Sequence, residues 1–411
     1  MVTLPSKTHA VAIALAALAL GALPVPGTAP SARAADRAEP TVDYRAAARE
    51  LAPLIDARYA YRETLPHGLF ALTPVLAAEA DSVHDPRSLL RFAERALFLL
   101  ADHHASTGSN LADSWGLVPS YSDLWLEKQS DAFVVTAVRE GSPAAREGIT
   151  PGARLLAVDG VAIRQAVSAF WADLGTTGSP VRDAFAARVL ATGRRDRPRR
   201  LTLQLPGKPP RDYALANLYQ AATGAEDATG PIAVSSAPDA ATIRFANSLG
   251  DGDAIAAFDA AMARIDPATP VVIDLTDTPS GGNTVLARAI MGWFAKEATP
   301  YQRHADPAEE RETGIAHQWL ELVMPRGRYH AGPVTVRVGR WTGSMGEGLA
   351  IGLAQLGAHV CGGPMAGLRG SIESFPLGDS GVRIAFPTQR LMTVNGTPRE
   401  EIVPPPCEAG G

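Results

Sequence analysis

The run Val271-Val272-Ile273-Asp274-Leu275 leaves a folding chain few options. Its apolar side chains fall on both faces of a strand, and such a strand is stable inside a sheet covered on both sides. Helical patterns flank it. Residues 251–265 put Ile255, Phe258, Met262 and Ile265 on one face. Downstream, Val285, Leu286, Ala289, Ile290, Trp293 and Phe294 recur at helical spacing. A strand over 334–338, a helix opening at Ser344 and a strand over 358–361 follow. From about 209 to 405 the chain therefore reads β-α-β-α-β, an α/β pattern, and it shows no internal repeat.

Composition enters here as a set of exclusions. At 411 residues, 46% hydrophobic and 20% charged, the chain is neither disordered nor fibrous, and its length predicts more than one domain. A formal charge of −5 argues against coating nucleic acid. Cys361 and Cys407 are too few for a four-thiolate metal site, the histidines show no metal-ligand spacing, and no cofactor or metal is expected. The two thiols are read either as a pair tying down the tail or as free. The first 34 residues read as a secretory signal: Lys7, an apolar run of about 14 residues, and a small-residue site at Ala32-Arg33-Ala34. Cleavage there leaves 36 basic and 43 acidic residues. With no later apolar stretch long enough to span a bilayer, the expectation is an exported protein, periplasmic or secreted, without stable membrane insertion.

The predicted organisation is a signal at 1–34, a helical segment at 35–112, a β-rich domain at 113–208 and a catalytic core at 209–411. In the helical segment Leu51, Leu54 and Ile55, then Leu89, Leu90, Phe92, Ala96 and Leu97, keep helical spacing, with Asp85-Pro86 as a start signal. Short strands and turns are expected from about 115 to 207. Ala132 to Val138 is a strand candidate, and Asp159-Gly160 joins two further strands. Gly141-Ser142-Pro143-Ala144, then Glu147-Gly148-Ile149, then Gly152-Ala153-Arg154-Leu155-Leu156-Ala157-Val158-Asp159-Gly160 resemble the signature of PDZ domains. Such domains bind extended peptides beside a glycine-containing, carboxylate-holding loop. The matching stretch here, Tyr121 to Leu126, has no glycine. The basic run 194–200 reads as a solvated loop.

The chemical centre is Trp341-Thr342-Gly343-Ser344-Met345-Gly346-Glu347-Gly348. A serine that ends a strand and opens a helix has its hydroxyl beside free N–H groups and the positive end of the helix dipole. It is placed to attack a carbonyl. The same Ser-x-x-Glu spacing also describes a capping box, in which the serine only closes the helix. Asp274-Leu275-Thr276-Asp277-Thr278-Pro279-Ser280-Gly281-Gly282 is a turn able to offer oxyanion N–H groups, or a tight connection and no more.

The order of helical segment, PDZ-like domain, Asp-Leu…Gly-Gly turn, Thr-x-Ser-x-x-Glu helix and Gly-x-Pro-x-x-Gly loop (Gly362 to Gly370) resembles the C-terminal-processing, or tail-specific, serine peptidases. The resemblance spans nearly the whole chain. It implies a crotonase-like α/β core and endopeptidase activity on peptide or protein substrates, with Ser344 as nucleophile and the N–H groups of Met345 and Gly281 holding the oxyanion. The tail-specific branch pairs its serine with a lysine. No lysine follows Ser344 here, and Leu368 or Arg369 holds that place; arginine cannot act as a base. The lysine-free, tricorn-core-like branch remains, and it implies a histidine and a glutamate. Leu100-Ala101-Asp102-His103-His104 resembles its Leu-x-Asp-x-His motif, assigning the base to His104 with His103 as alternative. The glutamate falls on Glu400, with Glu401 as alternative, and Glu347 caps the helix. A non-catalytic exported binding protein for peptide or apolar ligand on the same fold is the rival reading, and an esterase a third.

Overall fold

The computed structural model describes residues 42–408, apart from 220–229, 238 and 246–247. The expected signal segment lies outside the described residues. Among the described residues no helix is long and apolar enough to cross a membrane.

The helical segment opens with Tyr44–Arg58, Pro74–Ser82 and Pro86–Leu97. The last starts where the sequence placed its signal. The Asp85 carboxylate accepts the Ser88 N–H at 2.6 Å, the Ser88 hydroxyl lies 3.1 Å from the Asp85 N–H, and Pro86 follows. Leu89, Leu90, Phe92, Ala93, Ala96 and Leu97 are buried, the large ones contributing about 1.5–3 kcal/mol each. A 3₁₀ turn at Phe98–Leu100 ends in Ala101, whose φ of 47° turns the chain sharply ahead of Asp102.

An antiparallel sheet follows, built from Leu124–Gln129, Ala132–Val138, Arg154–Val158, Arg199–Gln204 and Arg211–Leu215. Asp159 and Gly160 both have positive φ and join Arg154–Val158 to the short strand Val161–Ala162, as a type I′ connection requires. Strands and turns are not the whole of this region: the helices Ile163–Asp173 and Pro180–Thr192 also lie in it. The second is buried nearly all round, at Phe185, Ala186, Ala187, Val189, Leu190 and Ala191, so it lacks the one-sided stripe that marks a surface helix. The stretch aligned with a carboxylate-holding loop carries its own carboxylate instead. Asp123 is fully buried and paired with buried Arg199 at 2.6 Å. That pairing takes Arg199 out of the solvated basic run.

Among the remaining described residues there are two larger sheets and one two-stranded pair, Asp277–Thr278 with Trp341–Thr342. Val271–Asp274 sits between Ala241–Phe245 and Val334–Arg337, parallel to both, with His359–Cys361 beyond Val334–Arg337 and Ile232–Ser236 antiparallel at the other edge. Val271 and Ile273 are buried as expected of a strand covered on both faces. The helices Asp253–Arg264, Thr284–Met291 and Met345–Gln355 pack in the same apolar cluster, whereas Val285 is 57% exposed. The second sheet pairs Ser371–Pro376 and Thr299–Ala305 with Arg383–Met392, and Gln318–Val323 with Thr299–Ala305. Its inner residues Ile384 and Phe386 join the cluster of the helical segment. Cys361 and Cys407 form a disulfide that fastens the C-terminal stretch to the edge strand.

Candidate active site

Ser344 stands at the junction of the two-residue strand Trp341–Thr342 and the helix Met345–Gln355, with φ 51° and ψ −114°. A non-glycine residue in that conformation is strained by about 1–3 kcal/mol, so its surroundings must hold it. Thr342 pairs with Thr278, and the hydroxyls of both donate to the Leu275 carbonyl, at 2.7 and 2.9 Å. The Gly343 N–H donates to the Thr278 carbonyl at 3.2 Å. A Cβ on Gly281 would lie 2.4 Å from the Ser344 Cβ, so only glycine lets this turn come so close to the serine.

Where the side chains point bears on the capping alternative. The Glu347 carboxylate accepts the Ser344 N–H at 2.8 Å, which is half of a capping box. The Glu347 N–H, however, donates to the backbone carbonyl of Ser344 at 3.1 Å. The Ser344 hydroxyl instead lies 3.0 Å from Nε2 of His104.

His104 is buried, and both of its ends are fixed. Its N–H donates to the Asp102 carboxylate at 2.9 Å, and the other Asp102 oxygen accepts the Tyr59 hydroxyl at 2.8 Å. Nδ1 of the ring is 2.5 Å from the Arg369 carbonyl. A carbonyl only accepts, so Nδ1 carries the proton and Nε2 is bare, facing the serine hydroxyl as an acceptor. Burial, assisted by the Arg399 charge and opposed by the Arg369 carbonyl and Asp102, lowers the ring's pKa to about 4. The imidazole is therefore neutral at pH 7. His103 points elsewhere. Its ring stacks on Phe185 at 4.3 Å, and its Nε2 accepts from Arg188 at 3.1 Å.

The loop that supplies the Arg369 carbonyl is pinned on two sides. Glu347, fully buried, accepts the N–H groups of Gly367 at 2.8 Å and Leu368 at 3.2 Å in addition to that of Ser344. Burial pushes its pKa to about 7, against the pull of the Arg399 charge and the three donors. Arg399 donates to the carbonyls of Leu368 and Gly370, at 3.0 and 2.9 Å, bracketing Arg369. Glu347 thus does more than close the helix, since it joins the Ser344 turn to the loop.

Glu400 is not on the imidazole. The acceptor position at Nδ1 is filled by the Arg369 carbonyl. The turn Arg399–Glu401, anchored by Arg399, directs Glu400 toward Tyr61, whose hydroxyl burial and the Glu400 charge together hold well above its ordinary range. Glu401 is exposed. Of the expected oxyanion donors, the Met345 N–H opens the helix with no hydrogen-bond partner among the described residues. The Gly281 N–H makes a long contact, 3.4 Å, with the Thr278 carbonyl.

Ser344 and His104 open into a cleft of about 350 Å³ lined among others by Val118, Pro279, Met345, Leu368, Gln302 and His304. Gln302 and His304 lie on Thr299–Ala305, which sequence reasoning did not identify as a strand. A shift of register between Pro300 and Gln302 breaks the alternation that would have marked it. No group of His, Cys, Asp and Glu among the described residues is arranged to hold a metal ion.

A PDZ-domain family model matches residues 134–170. Among solved structures, mature CPAF complexed with lactacystin is similar over 88% of this chain and 93% of its own, with TM-score 0.53 and 14% identity. Mature CPAF in a second structure gives the same score and identity over 92% of its length. The photosystem II D1 C-terminal processing protease is similar with TM-score 0.49 and 16% identity, over 89% of this chain and 92% of its own. No curated protein matches the chain in sequence. The chain is therefore a mixed α/β protein with a PDZ domain, and it shares the overall fold of CPAF.

Proposed function

We propose that the chain is a serine endopeptidase, exported after removal of residues 1–34, with a PDZ domain over 113–208 and a crotonase-like catalytic core over 209–411. One observation carries the reading: a serine hydroxyl in a strained elbow lies 3.0 Å from the unprotonated nitrogen of a buried imidazole. The substrate class proposed is a peptide or protein, whose amide carbonyl the Ser344 hydroxyl would attack.

Substrate enters the cleft with its carbonyl carbon at Ser344. As the Oγ–C bond forms, the hydroxyl proton passes to Nε2 of His104. The oxyanion is held by the Met345 N–H and by the Gly281-Gly282 turn. His104 returns the proton to the amine as the C–N bond breaks. It then takes a proton from water as water attacks the acyl-enzyme, and gives that proton to Ser344 Oγ as the acyl C–Oγ bond breaks and the carboxylic acid product leaves. The role expected of Glu400, orienting the ring, passes to the Arg369 carbonyl, with Asp102 fixing the backbone of His104. The imidazolium then lacks a directly bonded carboxylate, and the Asp102 charge acts on the ring from a distance.

The test is labelling by a fluorophosphonate together with peptide hydrolysis. Wild type should label and cleave, Ser344→Ala should do neither, and His104→Gln should label at least about 100-fold more slowly. Wild type that fails to label, or Ser344→Ala that keeps the wild-type cleavage rate, would overturn the reading in favour of a binding protein.

A further inference from the structure

The helix Pro180–Thr192 takes no part in acyl transfer, yet it touches both the PDZ sheet and the segment that carries His104. Leu124–Gln129 is an end strand of that sheet, paired with Ala132–Val138 on one side only. Such an edge presents unpaired backbone groups, and PDZ domains use one to take an extended peptide as an added strand. The register fixes which groups face outward. Val135, opposite Leu126, donates its N–H to the Ala153 carbonyl and accepts the Gly152 N–H, both at 2.8 Å and both on its far side. Directly opposed residues of an antiparallel pair either exchange both backbone bonds or turn both away. The N–H and carbonyl of Leu126 therefore point out of the sheet edge, where a peptide strand would pair.

That place is taken. Arg188 donates to the Leu126 carbonyl at 3.3 Å, and its guanidinium lies 4.8 Å over the Trp125 ring. Asp183 pairs with Lys128 of the same strand at 2.6 Å. Leu124, Leu126, Phe185, Val189 and Leu190 are buried in one apolar cluster, so the helix is part of the core rather than a loose cover. Arg199, beside the stretch that would hold a peptide carboxylate, is spent on Asp123 at 2.6 Å. The same helix also grips the segment leading to the base. Arg182 donates to the Leu99 carbonyl at 3.1 Å, in the 3₁₀ turn ahead of Ala101. Nε of Arg188 donates to Nε2 of His103 at 3.1 Å, and the Phe185 ring stacks on that imidazole at 4.3 Å. A guanidinium only donates, so Nε2 of His103 accepts and the ring is neutral. Burial, with the Arg188 and Arg369 charges, holds its pKa well below the ordinary value. Arg188 thus holds an outward carbonyl of the PDZ edge and the ring adjoining the base at once.

We propose that the helix Pro180–Thr192 is the resident occupant of the PDZ domain's peptide edge, and that Arg188 is a positioning residue through which the domain braces the turn bearing His104 instead of recruiting peptide. The occupancy stands on these contacts alone, and the positioning role rests on the peptidase reading.

The experiment uses the full chain and has two arms. In Ser344→Ala, hydrogen exchange is read by mass spectrometry with and without a pool of short random peptides with free C-termini at millimolar concentration. Exchange over 124–129 and 180–192 should be the same in both, and slower exchange over 124–129 with peptide overturns the occupancy. In the second arm active sites are titrated with a fluorophosphonate and peptide hydrolysis is expressed per labelled site, so that a lost folded fraction does not count. Arg188→Met should lower kcat per site about 10–100-fold with KM unchanged. Arg188→Lys, which keeps the charge and a donor, should lie between that variant and wild type. A folded Arg188→Met with the wild-type kcat overturns the positioning role and leaves the peptidase reading standing. Should Arg188→Met fail to fold, Phe185→Leu decides in its place: it removes the ring stacked on His103, kcat per site should fall severalfold, and the wild-type value overturns the role. Wild type that neither labels nor cleaves overturns the peptidase reading and the positioning role with it, and the occupancy is then judged by the exchange arm.

Discussion

Lowering the pH probes the buried imidazole directly. An ordinary imidazole titrates near 6.5, whereas burial lowers His104 to about 4. That displacement favours the neutral ring by about 3 kcal/mol. A general base must be neutral to act, so reactivity falls as pH drops through the pKa of the free enzyme. With a pKa of about 4, roughly 90% of the rings are still neutral at pH 5; with an unperturbed pKa, only about 3% are. The second-order rate constant for fluorophosphonate labelling should therefore fall less than about twofold from pH 7 to pH 5 on account of this ring. A solvated ring would give a fall of about 25-fold over the same interval. The measurement runs from pH 5 to 8, with near-UV circular dichroism at each pH to follow the fold. Glu347, raised to about 7 by burial, titrates inside this range. Glu347→Gln lacks that titration and should show a flat profile at a lower plateau. A midpoint near 6.5 in both proteins would refute the reasoning, because it would mean that the ring is hydrated in solution.

Three other changes follow from the same contacts. In Glu347→Gln one oxygen must serve where two now accept three N–H groups. At least one buried donor is left facing the new NH₂, and kcat/KM for peptide should drop about 10–100-fold; an unchanged value would show that the loop does not depend on Glu347. Arg399→Met removes a charge that lowers the His104 pKa and frees the Leu368 and Gly370 carbonyls. The acid limb of the labelling profile should then move up from about 4 toward 6.5, and a limb that stays in place would count against it. Cys407→Ser opens the link to Cys361, and should lower stability by about 2–4 kcal/mol in a denaturant titration; equal midpoints with equal m-values would rule this out.

How far the site can be read from the sequence depends on which residues set each side chain's direction. Ser344 is legible because a strand, a glycine and a helix start give it few places to be. Whether it caps or attacks is not legible, since both roles put serine at the same position. What bears on the choice is the Ser344 hydroxyl meeting a ring 240 residues away. The His103-His104 pair shows the same limit. Phe185 and Arg188, from a helix buried nearly all round, take His103, and the carbonyl of Arg369 takes His104. No local pattern encodes either partner. The assignment of Glu400 fails for a related reason: a backbone carbonyl has no sequence signature, so an acid had to be sought for a position that Arg369 fills. The core strand Val271–Asp274 is the opposite case. Its burial on both faces follows from its own side chains and owes little to distant partners.

His104 and Ser344 stand beside different apolar clusters. The residues leading to His104 pack with the helical segment and the PDZ domain, while Met345, Leu349 and Ala350 behind Ser344 pack with the parallel sheet. Three connections join them at the site: the Ser344–His104 contact itself, the Arg369 carbonyl on the ring, and the Glu347 and Arg399 bonds that hold the Arg369 loop. A small third cluster of Val118, Trp125, Trp341, Ala366 and Leu368 packs over the same junction, and the Trp341 indole donates to the Ser122 carbonyl at 2.7 Å. The strained geometry of Ser344 is held by Thr278, Thr342 and Gly281 and by the Glu347 carboxylate that accepts its N–H. The position of His104 is held by Asp102 and the Arg369 carbonyl. Under the proposed mechanism reactivity therefore depends on how the two clusters sit together, and a small relative shift that leaves both cores intact would separate the Ser344 hydroxyl from Nε2 of His104.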